Sequence, residues 1–296
     1  MREAVGAEQA RQVPHHLGEY EDVATQQLFY RTAVPVHFQR HRDWSVKTGE
    51  TYSFAAGVNS VPVTAIEFAQ AAAEYPIVFA GNEKSVFPAI ILGIRENENL
   101  FVDPDGRWRG KYVPAFVRRY PFVFSQDEAA RTFTLHIDET FAGCNQSGRG
   151  ERLFDADGAQ TQYLRTVLGF LQDYQARFRR TQAYCSRLLE LQLLQPMQAQ
   201  FTLNTGEQRS LSGFMVVNRE KLKALPAETV ADLLAKDELE CTFLHLASLR
   251  HFQDMLERFQ PKQETIGLEP QAAPAAPAEA APASEAEAEP QHSVVH

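Results

Sequence analysis

Cysteine is scarce in this chain. Its 296 residues include three, Cys144, Cys185 and Cys241, and no two of them form a C-x-x-C pair. That spacing points away from a disulfide framework and from a thiolate zinc site, and reduced thiols in a cytoplasm are the expected state. Long apolar runs are missing as well. The longest, Phe87 to Ile94, has about eight residues, against the ~20 that a bilayer-spanning helix needs. The first residues, MREAVGAEQARQVPHH, carry no apolar segment of the signal-peptide kind. Positive charge is also short. The formal net charge is −9, and from Lys262 onward six glutamates against one lysine contribute −5 of it. A body at −4 without a lysine/arginine run is not built to hold nucleic acid. Sharp catalytic signatures are lacking too: the nucleophile elbow, the H-E-x-x-H zinc helix and the dinucleotide fingerprint do not occur. Gly143 and Gly148 have P-loop spacing, but Arg149-Gly150 stands where Lys-Ser/Thr is required.

What is present is a 44% apolar chain, enough for one large domain or two tightly packed subdomains. Residues 1–33 are polar and read as a loosely ordered arm with a short helix around Tyr20 to Tyr30; His15-His16 reads as a solvated pair within it. Residues 34–261 form the domain, β-rich over 34–150 and helix-rich over 151–261. Residues 262–296 collapse to Ala, Pro and Glu, a composition that cannot offset ordering entropy and predicts a disordered tail. Repeating βαβ units are absent, so the expected class is α+β, packed as one body.

Period-2 and β-rich stretches predict strands at Val34–Phe38, Tyr52–Ala55, Ile77–Ala80, Phe87–Arg95 and Thr132–Asp138. Thr64 with Glu67 three residues on is a capping box opening a helix to about Tyr75, where Pro76 ends it. Helical spacing predicts one helix over 160–179 and a second over 181–194, stopped by Pro196. A hairpin over 197–217 turns at Asn204 to Glu207. Asn218 caps a short helix, 226–236 is another, and 237–258 is a longer one. Its core stripe is Phe243, Leu246, Leu249, Phe252 and Leu256, with His245 on the flank.

The densest stretch is Leu100 to Phe122, LFVDPDGRWRGKYVPAFVRRYPF. Asp103-Pro104-Asp105-Gly106 has turn chemistry, with Gly106 free to take positive φ, so Leu100 to Arg109 reads as a hairpin with Trp108 inward. Leu153 to Gly158 repeats the pattern, Leu-Phe followed by D-x-D-G, and reads as a second turn of the same chemistry rather than a calcium loop. Arg118 and Arg119 leave a short turn between Pro114 and Pro121, beside Trp108, Tyr112 and Tyr120.

The runs Asn99 to Trp108 and Tyr112 to Phe122 resemble the SapC-like family of bacterial proteins. Tyr75 to Phe79, Ile137-Asp138-Glu139, Leu153-Phe154 and His245 to Leu249 support the resemblance, which spans roughly residues 34–259. It implies an association with surface-layer gene clusters and with neighbours such as flavin-dependent tryptophan halogenases, cupin-like proteins and TonB-dependent receptors. It supplies no catalytic residue.

Two readings stand for the central block. In the first, Trp108, Tyr112, Arg118, Arg119, Asp138 and Glu139 line a site for a small anionic or aromatic ligand, because guanidinium groups grip carboxylates and stack on rings. In the second, the arginines pair with Asp103, Asp105, Asp138 or Glu139 and the aromatics fill core. For function, a cofactor-free accessory or binding protein with a halogenase-type flavoprotein partner stands against a non-haem Fe(II) oxygenase. The latter would use His136 and Asp138, which share one face of a strand, with His245 as the distant ligand.

Overall fold

The computed structural model describes residues 28–127, 132–202 and 208–259. The expected helix at Tyr20 to Tyr30, the hairpin turn at Asn204 to Glu207 and the Ala/Pro/Glu tail lie wholly or mostly outside them. The strands are β1 (Ala33–Pro35), β2 (Ser45–Val46), β3 (Ser60–Pro62), β4 (Ile77–Gly81), β5 (Val86–Ile91), β6 (Phe122–Asp127), β7 (Thr132–Asp138), β8 (Cys144–Asn145), β9 (Glu151–Arg152), β10 (Leu194–Thr202) and β11 (Gln208–Val217). The helices are α1 (Phe38–His41), α2 (Phe68–Ala71), α3 (Ala115–Arg118), α4 (Gln162–Glu190), α5 (Arg219–Lys223), α6 (Ala227–Ala235), α7 (Glu238–Ser248) and α8 (His251–Phe259). The order gives a sheet-rich first half and a helical second half, an α+β fold.

A five-stranded sheet, β10-β11-β4-β5-β3, is the centre, and its paired strands are antiparallel. Alternation along β4 splits its side chains between two cores. Ile77 and Phe79 face the main core, with Tyr184 and Leu188 of α4. Val78 faces a smaller one with Phe214, Val216, Phe252 and Met255. The middle of the sheet is therefore covered on both faces, which is why β4 and β5 read as continuous apolar runs rather than alternating ones. Two smaller sheets, β1-β7-β6 and β8-β2-β9, complete the first half.

Thr161 caps α4 by accepting the Leu164 N–H at 3.3 Å. The two helices expected over 160–194 are one element of 29 residues. Thr181, the expected start of the second, lies mid-helix, where its hydroxyl donates to the Arg177 carbonyl at 2.9 Å. The same hydroxyl accepts from the Ala65 N–H at 2.9 Å, so a cap-type side chain serves a neighbouring segment instead. Pro196 does not stop a helix; it sits in β10, an edge strand, where its missing N–H is tolerated. The helix expected from Thr64 is a 3₁₀ turn (Ala65–Glu67) plus the single α-turn of α2, and Tyr52–Ala55 is 3₁₀ at Ser53–Ala55 rather than strand.

The helix expected over 237–258 divides into α7 and α8. Phe243, expected in the core, is exposed, and His245, expected on the flank, is buried. The packed body also starts before Val34: the Phe29 and Tyr30 side chains are buried against Phe54, Phe116 and Tyr120.

The twin D-x-D-G turns are alike. Asp103 takes the Gly106 N–H on its carbonyl and the Arg107 N–H on its side chain; Asp155 does the same for Gly158 and Ala159. Gly106 and Gly158 have φ of 80° and 84°, and single antiparallel bridges, Val102 to Trp108 and Phe154 to Gln160, close the two loops.

Candidate functional site

The central block is organised around Glu67, a carboxylate only 3% exposed. The capping-box spacing puts it in the first turn after Thr64, whose N–H and hydroxyl both donate to Oε2 at 2.9 and 2.7 Å. Oε1 accepts the Tyr112 hydroxyl at 2.7 Å and the Ala115 N–H at 2.8 Å. Glu67 thus ties the start of α3 to the Thr64 turn. Burial is the main cause that raises the Tyr112 phenol above its usual range, and Glu67 adds to it. Next to it, Trp108 Nε1 donates to the Tyr75 hydroxyl at 2.9 Å and to the Tyr112 carbonyl at 3.1 Å, while the Tyr75 hydroxyl donates to that same carbonyl. Glu74 accepts the Lys111 N–H.

Trp108 and Arg118 therefore both meet Tyr112, one at its carbonyl and the other at its ring. Arg118 is exposed; its Nε donates to the Val113 carbonyl at 3.0 Å, and its guanidinium lies 5.8 and 5.5 Å from the Tyr112 and Phe170 ring centres. Arg119 points elsewhere. It is 4% exposed and lies 3.9 Å from the Phe116 ring centre, 5.3 Å from Tyr174 and 5.9 Å from Tyr30. Its Nε and Nη2 have no hydrogen-bond partner, so aromatic faces stand in for a carboxylate. Neither arginine pairs with Asp103, Asp105, Asp138 or Glu139 among the described residues.

Asp138 and Glu139 hold the N-terminal segment instead. Asp138, fully buried, accepts from the Arg31, Thr32 and Thr140 N–H groups and from the Thr140 and Tyr120 hydroxyls. Burial works against its ionisation, but the Arg31 and Thr140 bonds outweigh that and hold the carboxyl below its usual range. Glu139 forms a two-pronged bond to Arg40, at 2.6 Å on each side, and its Oε1 meets Nε2 of the buried His41 at 3.1 Å. The Arg40 bond is the main cause that lowers its pKa.

The expected metal ligands do not converge. His245 spends both ring nitrogens on the sheet: Nε2 accepts the Val217 N–H at 3.0 Å, and Nδ1 donates to the Ile77 carbonyl at 2.8 Å. Burial lowers its pKa to about 4, so the ring is neutral at pH 7. His136 leans on the Thr134 carbonyl, and the Asp138 oxygens are saturated. Among the described residues, no three His, Cys, Asp or Glu side chains stand close enough to share a metal ion.

Space lies elsewhere. The hollow beside α3, bounded by Thr64, Ala115, Phe170 and Tyr174, is about 40 Å³, room for little more than water. A cleft of about 300 Å³ opens on the other side of the Thr64–Glu67 turn, against α4 and the start of α7. Ile66, Ala69, Tyr184 and Leu244 form its apolar wall, and Ile66 is 55% exposed there. Arg177, Arg180, Lys236, Asp237, Glu238 and Glu240 supply its charged lining. Arg180 pairs with Asp237 at 3.0 Å, and Lys236 with Asp232 at 2.9 Å. Arg177 borders both hollows. Sequence reading missed this cleft, because Arg177 and Glu238 look like ordinary polar positions of two amphipathic helices.

No helix among the described residues is long and apolar enough to cross a membrane. No curated protein and no solved structure matches the chain. The SapC family model matches residues 36–255, most of the chain and nearly all of the described body. The chain belongs to the SapC family.

Proposed function

We propose that this SapC-family protein is a cytoplasmic, non-catalytic accessory or binding protein serving a tryptophan-halogenase-type or surface-export system, and that it binds through the cleft between the Thr64–Glu67 turn, α4 and α7. The cleft itself carries the reading. An apolar wall beside charged lining groups suits a small ligand or an anchor residue, and about 300 Å³ is at the low end for such a pocket. The central aromatic block supports it as scaffold. Its buried carboxylate Glu67 is consumed in bonds that position the wall of the cleft, since it fixes the turn that carries Ala65 and Ile66.

The test is co-purification of the full chain with a tryptophan-halogenase-type flavoprotein, with Ile66→Asp as the blocking variant. A complex that forms with the native chain and is lost in the variant is the expected result. A complex indifferent to Ile66→Asp removes the cleft from the proposal, and no complex removes the partner.

A further inference from the structure

Residues 28–36 form no helix and, apart from the three residues of β1, no strand. They lie in a trough on the body as a bound peptide would. Phe29 is buried edge-on among the rings of Phe54, Phe116 and Tyr120, with ring centres 5.2, 5.6 and 5.7 Å away. Tyr30 packs on Tyr120 and donates its hydroxyl to the Phe122 carbonyl at 2.7 Å. Asp138 holds the Arg31 and Thr32 N–H groups at 2.7 and 3.3 Å. β1 then adds antiparallel to β7, with Ala33 opposite Asp138 and Pro35 opposite His136, and the Val36 N–H reaches the Leu135 carbonyl at 2.8 Å. Two buried aromatic anchors followed by an added strand are the means by which extended peptides are recognised between molecules. None of these partners is a sequence neighbour. The SapC family match starts at Val36, so the matched body carries the trough, and a segment outside the match fills it.

We infer that the trough is a strand-docking site, and that a second copy of this chain fills it with its own residues 28–36, giving a dimer by mutual exchange. The second copy is the occupant because its segment makes the same bonds and needs no new contact. Only the connection between β1 and α1 has to permit the crossing. That connection runs through His37, which is extended, with φ −138° and ψ 135°, rather than folded into a tight turn. The segment's one charge, Arg31, is also opposite in sign to the Asp138 that holds it. The trough shares no residue with the cleft, so the inference stands apart from the binding reading above.

Analytical ultracentrifugation of the full chain, refolded from urea at rising concentration, tests this. A dimer that grows with concentration is expected. Phe29→Ala with Tyr30→Ala, which removes both anchors, should lose that dimer. The nonapeptide of residues 28–36, LFYRTAVPV, present in excess during refolding, should bind the double variant and keep the native chain monomeric. A native chain that is monomeric at every concentration overturns the inference, and so does a dimer that the double variant still forms or that the nonapeptide leaves intact. Nonapeptide bound by the double variant, beside a native chain that never dimerises, gives the trough to a segment of another protein and overturns the exchange. Circular dichroism follows folding of the double variant. If it does not fold alone, recovery with the nonapeptide and not with a nonapeptide lacking both aromatics supports the docking site; no recovery with either overturns it.

Discussion

The two sides of the Thr64–Glu67 turn treat polar groups in opposite ways. On the α3 side the acceptors are filled: Glu67 meets four donors, and the Tyr112 carbonyl meets two. The hollow left there is about 40 Å³. On the α4–α7 side apolar and charged side chains line an opening of about 300 Å³. Saturated networks make a segment rigid and leave nothing for a ligand to gain. An open cavity with an apolar wall leaves surface for a ligand to cover. The aromatic, arginine-rich stretch that draws the eye in the sequence is thus the brace, and the plainer helices carry the opening.

The largest expected effect breaks the brace. Glu67→Ala orphans four donors, two of them backbone N–H groups. At roughly 1–3 kcal/mol for each buried unsatisfied group, partly relieved by water, a loss on the order of 4 kcal/mol is expected in denaturant unfolding. Glu238→Gln, its counterpart at the cleft, should leave stability within about 0.5 kcal/mol. Similar losses in the two variants would erase the contrast.

Next in size is a pH dependence rooted in the sheet. His245 is neutral when folded, with a pKa lowered to about 4, whereas the unfolded side chain titrates near ~6.5. Below ~6.5 the unfolded chain takes up a proton that the folded one does not. Stability is therefore fully present above that pH and is lost as pH falls toward 4, by on the order of 3 kcal/mol. Urea unfolding across pH 7 to 4 should show this slope in the native chain and lose much of it in His245→Gln. A slope unchanged in the variant would mean that other groups carry it.

The smallest effect sharpens the comparison. Arg118 is exposed and touches the Tyr112 and Phe170 rings from outside. Arg118→Ala should cost about 0.5–1 kcal/mol and leave affinity for the flavoprotein partner unchanged. A clear fall in affinity would move the site back to the central block.

Local signals were legible wherever the cause is local. The capping box at Thr64 and Glu67, the D-P-D-G turn with Gly106 at positive φ, the paired apolar strands β4 and β5, and the β10–β11 hairpin all depend on residues a few positions apart. The metal set His136, Asp138 and His245 failed for a non-local reason: Val217 and Ile77 claim both nitrogens of His245, 28 and 168 positions away. Thr181 misled in the same manner, since its hydroxyl serves Ala65, 116 positions earlier.

The sequence by itself determined the α+β class, the family and the turn chemistry, because propensity, periodicity and capping act within a few residues. Only the tertiary structure decided which polar groups are spent and which are open. Glu67 and Glu238 are the same residue type at the start of helical segments; one is enclosed by donors and the other borders a cleft. That difference arises from what the chain brings alongside each of them, and no short window of residues contains it.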